Sequence, residues 1–246
     1  MATVPRPAGQ GDWLLYAIDA DFLHVDNDIS ATVIEDRIAV AFDVMNDAGY
    51  HALKFDLARN TNPQNGSEWD KYLLDNGEDD PGSPEYIHGD HVAMGVFNGR
   101  LAVAYSARTS FGEPPVRHQL RLARAQVSLP LSRADWQRHV IFEELAGEDT
   151  LASSDMELAS VVVSGGRLAI GFEGISPTTP LRSAARVARA MVAEPDEAAD
   201  WQIGTVADPC IGPPALLDLD GRLLAACSPL DADIAVLRVA LADGPW

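Results

Sequence analysis

The stretch FNGRLAVAYS (97–106) decides the fold of this chain, because close copies of it recur three times. The copies are IEDRIAVAFD (34–43), SGGRLAIGFE (164–173) and LDGRLLAACS (219–228). In each copy a two-residue turn is followed by a basic residue and a largely apolar strand. Turn pairs such as Asn98-Gly99 adopt positive φ at low cost, which favours a tight hairpin between antiparallel strands. Four copies of one hairpin predict an all-β repeat architecture.

Each repeat continues with a third strand, and three repeats add a fourth strand that starts at a tryptophan. The third strands are ALKFDLA (52–58), QLRLARA (119–125), AARVARA (184–190) and AVLRVAL (235–241). The fourth strands begin at Trp69, Trp136 and Trp201. The last repeat ends at Trp246 without such a strand, whereas the segment GDWLLYAID (11–19) has the same pattern. We therefore predict a four-bladed β-propeller in which the N-terminal strand completes the last blade and removes an open sheet edge.

The whole chain, residues 1–246, is expected to form a single propeller domain. Blade 1 spans about 28–75, blade 2 about 91–143, blade 3 about 157–207, and blade 4 about 213–246 plus 12–19. A β-sandwich of hairpins is the main alternative, but it does not require four repeats in phase. A five-bladed ring would need a fifth turn followed by a basic residue. The helix-like stretch 181–193 is expected to be strand, because it contains the third strand of blade 3.

The composition excludes several classes of partner. With 18 basic and 37 acidic residues the net charge is −19, which disfavours nucleic acid and anionic membranes and favours cationic ligands or basic partners. No apolar run approaches the length of a membrane span, and the first residues lack a secretory pattern, so a cytoplasmic location is expected. Two cysteines, Cys210 and Cys227, are too few for a disulfide scaffold, and we predict free thiols. The oligomeric state is left open.

The repeat pattern resembles the tandem repeats of bacterial sialidase-like propellers, which carry Asp-box turns. The resemblance lies in strands such as LAVAYS (101–106) and LRLARA (120–125), followed by a turn that leads to a tryptophan. The Asp-box itself survives as fragments, for example Asn65-Gly66-Ser67-Glu68-Trp69. The resemblance covers essentially the whole chain and implies the fold. It implies no sialidase activity, because no set of three arginines for a sialic-acid carboxylate can be carried over.

Strand direction assigns the loops to two faces, and we call the mouth the face that holds the loops after the second and fourth strands. Five of the six histidines are expected there; the sixth, His139, aligns with Tyr16 and Tyr72 and is expected to be a packed aromatic substitute. The first strands align small residues, whose side chains would fit around the narrow axis of a four-bladed ring. These residues are Ser30, Ala93, Ser160 and Ala215. A ligand should therefore bind at the mouth.

The candidate site residues are the histidines and acids of the mouth. The candidate catalytic residues are His91, Glu173, Asp43 and His24; the candidate ligand-binding residues are Asp28, His51, His88, Asp90, His118 and Glu157. Asp43 and Glu173 end the second strands of blades 1 and 3, so they are expected to face each other across the axis. Imidazoles beside carboxylates are the usual equipment for general acid–base chemistry.

Three functional hypotheses follow from the mouth. The first is binding of a small molecule, a carbohydrate-type ligand or a cation by the carboxylates. The second is an enzyme of small-molecule metabolism that uses histidine–carboxylate acid–base chemistry, with a glycosidase-like reaction as one example. The third is a divalent metal ion as cofactor, held by Asp26, Asp28, His88 and His91. The low aromatic content, 7%, weakens a lectin-like interpretation of the first hypothesis.

Overall fold

The computed structural model describes most of the repeats and part of the chain between them. The described residues are 17–18, 28–45, 51–76, 86–109, 116–146, 156–176, 183–229 and 238–242. Within these ranges the regular structure consists of β-strands and three short 3-10 turns. No helix in these ranges is long and apolar enough to cross a membrane. The all-β prediction is therefore confirmed.

The strands form four antiparallel sheets that follow one another along the chain. Sheet 1 contains β1 (Ile29–Ile34), β2 (Arg37–Met45), β3 (His51–Ala58) and β4 (Trp69–Asp75). Sheet 2 contains β5 (Tyr86–Phe97), β6 (Arg100–Thr109), β7 (Val116–Ala125) and β8 (Trp136–Ala146). Sheet 3 contains β9 (Leu158–Ser164), β10 (Arg167–Ile175), β11 (Ser183–Ala190) and β12 (Trp201–Ala207). Sheet 4 contains β13 (Cys210–Leu219), β14 (Arg222–Pro229) and β15 (Arg238–Ala242).

The hairpin turns have the backbone conformation that their sequences predict. Both central residues of each turn have positive φ, for example 50° at Asn98 and 70° at Gly99, and 45° at Glu35 and 61° at Asp36. Two positive φ values define the type I′ turn, which matches the right-handed twist of the strands on either side. The four repeated turns therefore fix the register of the four inner hairpins.

The third and fourth strands are found where the sequence places them, with one correction. Each fourth strand in sheets 1 to 3 begins at its tryptophan, directly after a 3-10 turn. The helix-like stretch is strand, as β11 shows. In sheet 4, Arg238 pairs with Cys227, just as Arg186 pairs with Phe172. The sequence alignment of 235–241 was therefore wrong by one residue, because it placed Leu237 in that position.

The core lies between successive sheets rather than within one central layer. One cluster of buried side chains joins sheet 1 to sheet 2, a second joins sheet 2 to sheet 3, and two smaller clusters join sheets 3 and 4. Sheets 3 and 4 approach closely at Gly171, where a Cβ would lie 2.3 Å from the carbonyl oxygen of Pro214. Sheets that pack face to face in sequence order are the arrangement of propeller blades.

The first strand of each sheet lies at a sheet edge, next to the first strand of the neighbouring sheet, and serine side chains link these strands. Ser30 Oγ accepts a hydrogen bond of 2.9 Å from the backbone N–H of Met94, and Ser160 Oγ accepts one of 3.0 Å from Leu216. These N–H groups lie on sheet edges, where no neighbouring strand of the same sheet can pair with them. The small residues predicted for the axis therefore include two hydroxyl groups that satisfy edge amides.

The two cysteines are free and buried, which confirms the thiol prediction. Cys210 pairs with Pro229 and Cys227 with Arg238 in the strands of sheet 4. The Sγ of Cys210 donates a hydrogen bond to the carbonyl oxygen of Ser228. Both thiols belong to an apolar cluster between sheets 3 and 4, and they therefore act as small apolar side chains.

Candidate functional site

Two predicted site residues from neighbouring sheets bind each other at the mouth. Asp28 immediately precedes β1, and His91 occupies the corresponding position in β5. Nδ1 of His91 lies 2.7 Å from Oδ2 of Asp28. Both side chains are only partly exposed, 13% for His91 and 40% for Asp28. With Nδ1 engaged by the carboxylate, Nε2 is the ring nitrogen of His91 that remains for a ligand.

Sheet 3 adds two carboxyl groups to the same place. The backbone N–H of Glu173, near the end of β10, donates a hydrogen bond of 2.8 Å to the carbonyl oxygen of Glu157. The Glu173 carboxyl accepts hydrogen bonds from the Ser183 side chain and from the backbone N–H of Gly212. Gly212 belongs to β13, so all four sheets reach this region. A Cβ on Gly212, whose φ is 73°, would lie 3.9 Å from Oε2 of Glu157.

The electrostatic environment of Glu173 raises the pKa of its carboxyl group. Burial is the largest influence and raises the pKa of Glu173, and the nearby charge of Glu157 raises it further. The Ser183 hydrogen bond, the His91 imidazole and the Gly212 N–H all favour the carboxylate and oppose the rise. A buried carboxyl beside another carboxylate is the usual way in which a protein keeps such a group protonated closer to neutral pH. Glu173 is therefore suited to donate a proton.

We call Asp28, His91, Glu157 and Glu173 the mouth cluster. Among the described residues, no lysine or arginine forms an ion pair with any of its three carboxyl groups. The cluster is therefore acidic, partly buried and built from three different sheets. Such a group of convergent polar side chains can accept hydrogen bonds from hydroxyl or ammonium groups and can exchange protons with a bound molecule.

Two further predicted site residues, Asp43 and His51, contact each other. They lie on the paired strands β2 and β3, and Nδ1 of His51 lies 2.8 Å from Oδ2 of Asp43. Asp43 is fully buried and His51 is nearly so. The His51 contact of Asp43 lies within sheet 1, whereas Glu173 contacts Glu157 and sheet 4. That Asp43 and Glu173 face each other across the axis stays a prediction.

The five remaining predicted residues are one buried histidine, two residues of which only the backbone is described, and two residues outside the described ranges. His118 is buried in β7, where its backbone neighbours are Arg108 on β6 and Glu144 on β8. His88 and Asp90 lie in β5, but only their backbone is described. His24 and Asp26 lie outside the described residues. Within the described part of the chain, no group of three or more His, Cys, Asp or Glu side chains is arranged to hold a metal ion.

Arginines neutralise two other mouth acids, and sequence reasoning did not assign these contacts. Asp75, at the end of β4, accepts hydrogen bonds from Tyr105 (2.6 Å) and Arg138 (3.2 Å) and pairs with Arg121 at 3.4 Å. Glu144 in turn pairs with Arg186 of sheet 3 at 3.4 Å. Arg121 and Arg186 occupy corresponding positions in the third strands of sheets 2 and 3. This repeated basic residue was the sequence signal for these ion pairs. Both acids therefore join successive sheets and are already compensated.

His139 behaves as the predicted aromatic substitute. Its Nε2 accepts a hydrogen bond of 3.3 Å from Nε1 of Trp201, and the Tyr72 hydroxyl accepts one of 2.9 Å from Nε1 of Trp136. Burial, together with the charge of Arg124, lowers the pKa of His139 and keeps the imidazole neutral. The sixth histidine is therefore part of the packing between sheets, away from the mouth cluster.

Comparison with known proteins gives matches at the level of three-dimensional structure alone. No protein-family model matches the chain, and no curated protein matches it. An endo-arabinase from Bacteroides thetaiotaomicron aligns with 93% of this chain and 80% of its own at 13% identity and a TM-score of 0.49. An α-L-arabinofuranosidase from Lactobacillus brevis aligns with 86% of this chain and 70% of its own at 11% identity and a TM-score of 0.46.

A mutant Trypanosoma rangeli sialidase is also similar, at 9% identity and a TM-score of 0.48, and the alignment covers 82% of this chain and 33% of the sialidase. A sialidase is thus among the similar structures. All these similarities are distant. The resemblance of the chain to sialidase-like propellers holds at the level of fold. The evidence for it is the four sheets of this chain and the way they pack against one another.

Proposed function

We propose that the mouth cluster binds a small polar molecule that carries hydroxyl or ammonium groups, either a carbohydrate-type ligand or a cation. The observation that supports this is the convergence of Asp28, His91, Glu157 and Glu173 from three sheets. Carboxylates that lack an arginine or lysine partner attract positive charge and accept hydrogen bonds from hydroxyl groups. The net charge of −19 acts in the same direction at longer range.

A second candidate, general acid–base catalysis at the same site, is favoured by the pKa of Glu173. Burial raises that pKa, so Glu173 can supply a proton, while His91, oriented by Asp28, can accept one at Nε2. Glu157 provides a neighbouring carboxylate. A proton-donating carboxyl and a second carboxylate are the groups that hydrolysis of a glycosidic bond uses. A glycosidase-like reaction is therefore the first enzymatic activity to assay.

A divalent metal bound by Asp26, Asp28, His88 and His91 stays a prediction. Asp28 and His91 are within contact distance, but they contact each other through Nδ1 of the histidine. Imidazole can still bind a metal through Nε2 while its other nitrogen is held by a carboxylate. Elemental analysis of the purified protein, before and after treatment with a chelator, tests this directly. Less than about one tenth of an equivalent of zinc, manganese or iron per chain would contradict the metal hypothesis.

Binding can be tested by titrating the protein with two probes, a neutral oligosaccharide mixture and spermidine, in a calorimeter. The Glu173→Gln variant removes one carboxyl charge from the mouth cluster, and we expect it to weaken binding at least tenfold. The matched control is Glu35→Gln, which changes the same group in an exposed turn at the opposite face. Equal affinity of the wild type and Glu173→Gln, together with weaker binding by Glu35→Gln, would show that the ligand binds at the opposite face and not at the mouth cluster.

We also propose that the four sheets close into a four-bladed ring, with residues 12–19 as the outermost strand of the last blade. Apolar side chains on the two innermost strands at the ends of the series support closure. Ile29 of β1 is 64% exposed, whereas its counterpart in β5, Val92, is 5% exposed. Leu219 of β13 is 50% exposed, whereas its counterpart Phe97 is 2% exposed. Packing sheet 4 against sheet 1 would cover both apolar strips.

Deletion of residues 1–20 tests closure. A closed ring loses a strand in this variant and gains an open edge, so the thermal midpoint should fall by 10 °C or more and aggregation should increase. Deletion of residues 1–8 is the control, since it leaves the proposed strand intact. An unchanged midpoint in the longer deletion would contradict the closed ring.

A further inference from the structure

Neighbouring sheets share one repeated contact between a tryptophan and an aromatic side chain. Tyr72 accepts a hydrogen bond from Nε1 of Trp136, and His139 accepts one from Nε1 of Trp201. In both cases the acceptor stands three residues after the tryptophan that begins an outermost strand, and the donor begins the outermost strand of the next sheet. Trp69 begins the outermost strand of sheet 1, so the same rule requires an acceptor from the strand that precedes it in the ring.

Among the three tryptophans in the described residues, Trp69 is the one whose indole has no such partner. Its side chain is 3% exposed, and its Nε1 has no hydrogen-bond acceptor in the described part of the chain. A buried N–H that has lost water and gained no acceptor destabilises a fold, and such groups are rare in native proteins. The indole N–H of Trp69 therefore indicates that an acceptor belongs at this face of sheet 1.

The N-terminal segment passes over this same face. Ile18 packs against the apolar cluster that contains Trp69. The ammonium group of Lys71 in β4 donates a hydrogen bond to the carbonyl oxygen of Ile18. Residues 17–18 are thus held by the outermost strand of sheet 1, through apolar packing and through a charge-assisted hydrogen bond.

Gly66 provides an independent indication that chain passes here. A Cβ at Gly66 would lie 2.6 Å from the carbonyl oxygen of Ile18 and 2.8 Å from that of Ala17, closer than real Cβ atoms come. Gly66 starts the 3-10 turn before β4, and the corresponding turns of sheets 2 and 3 start with Arg133 and Ala198. A side chain is therefore accepted at the other two turns, and glycine is found where residues 17–18 lie.

The spacing of the N-terminal segment identifies the missing acceptor. Ile18 stands five residues after Trp13, as Leu74 stands five residues after Trp69, and each packs against the core cluster of the next tryptophan. The residue three positions after Trp13 is Tyr16, which corresponds to Tyr72 in β4. Tyr16 has the same hydroxyl group that serves as acceptor between sheets 1 and 2.

We propose that the Tyr16 hydroxyl accepts the hydrogen bond from Nε1 of Trp69 and so joins the last blade to the first. The proposal rests on the closed ring proposed above and adds the contact that fastens it. The Tyr16 hydroxyl would then accept from Trp69 as the Tyr72 hydroxyl accepts from Trp136. The face of sheet 1 that carries Trp69, Lys71 and Gly66 is then an internal docking surface for the N-terminal strand.

The test is the substitution Tyr16→Phe, which removes the hydroxyl oxygen and keeps the ring, with Tyr72→Phe as the matched control. The indole N–H resonance of Trp69 is assigned by nitrogen-15 NMR and its exchange with solvent is measured. We expect Tyr16→Phe to shift this resonance and speed its exchange at least threefold, and to lower the thermal midpoint by about 2–4 °C. Tyr72→Phe should do the same to Trp136 and leave Trp69 unchanged.

An unchanged Trp69 resonance in Tyr16→Phe would overturn the proposed contact. If deletion of residues 1–20 still lowers the midpoint, closure of the ring survives that result. A Gly66→Ala substitution gives a second measurement that does not involve the hydroxyl. It should destabilise the full-length protein and leave the 1–20 deletion unchanged, because the carbonyl oxygens it would meet are then absent. Equal destabilisation in both backgrounds would also overturn the docking surface.

Discussion

Replacement of Asp56 by alanine should stabilise this protein at neutral pH. Asp56 lies in β3 and is fully buried, and among the described residues neither of its carboxylate oxygens has a hydrogen-bond partner. Burial raises the pKa of Asp56 from 3.8 to about 6, against the opposing influence of the charges on Lys54 and Lys71. The corresponding residues of sheets 2 and 3, Ala123 and Ala188, are buried alanines. An alanine side chain therefore fits this position in the repeat.

The expected magnitude follows from that pKa. Because the folded-state pKa is raised, the protonated carboxyl favours the folded state, and this contribution is complete below pH 3.8 and lost as the pH rises through 6. A difference of about two pKa units corresponds to about 3 kcal/mol in the free energy of unfolding. About 1.4 kcal/mol of that amount is lost between pH 5 and pH 8. The alanine variant lacks this dependence.

The assay is urea unfolding of the wild type and Asp56→Ala at pH 5, 6, 7 and 8. The variant should be more stable at pH 8 by about 1–3 kcal/mol, and its advantage should shrink by about 1.4 kcal/mol on going to pH 5. Asp70→Ala is the control, since Asp70 forms a largely exposed ion pair with Arg59 and should change stability by less than about 1 kcal/mol at every pH. A constant difference between wild type and Asp56→Ala across this range would contradict the raised pKa of Asp56.

Three further predictions concern the packing between sheets. Gly171→Ala should lower the free energy of unfolding by about 2–4 kcal/mol, because its Cβ would overlap a carbonyl of the next sheet; a variant as stable as wild type in urea would contradict that contact. His139→Tyr should give Trp201 a hydroxyl acceptor and remove a loss of stability that the wild type shows as the pH falls below 6.5, because burial lowers the pKa of His139. Thermal scans of both proteins at pH 5.5 and 8 measure this difference. An equal pH dependence in the two proteins would contradict the prediction. Cys210 and Cys227 should react with a thiol reagent only after unfolding, at two equivalents per chain; rapid reaction of the native protein would show that the cluster around them is open.

The hairpins could be predicted from the sequence because the turns carry local chemical information. Asn98-Gly99 and the other turn pairs specify positive φ, and the strand pairing then follows without tertiary contacts. The third strand of sheet 4 shows the limit of this approach. In the sequence no turn pair such as Asn-Gly stands before Arg238, so the register of this strand depends on pairing with β14 and could not be fixed from local pattern. The alignment was wrong there by one residue for that reason.

The residues of the candidate site could be named from the sequence, but the contacts between them could not. Asp28 and His91 were both expected at the mouth as candidate metal ligands, and no contact between them was predicted. The structure joins His91 to Asp28, 63 positions earlier in the chain, because the two residues occupy corresponding places on the first strands of neighbouring sheets. The repeat alignment contained that correspondence. The hydrogen bond from Gly212 to Glu173 had no sequence signal, because any backbone N–H can form it.

The most direct test of the account is an NMR map of where a ligand binds. Backbone amide resonances of nitrogen-15-labelled protein would be followed while spermidine or the oligosaccharide mixture is added. We expect the largest changes at Asp28, His91, Glu173 and Gly212, and we expect these changes to be lost in Glu173→Gln. Changes centred instead on the hairpin turns at the opposite face, around Asn98-Gly99, would contradict the assignment of the mouth as the functional site.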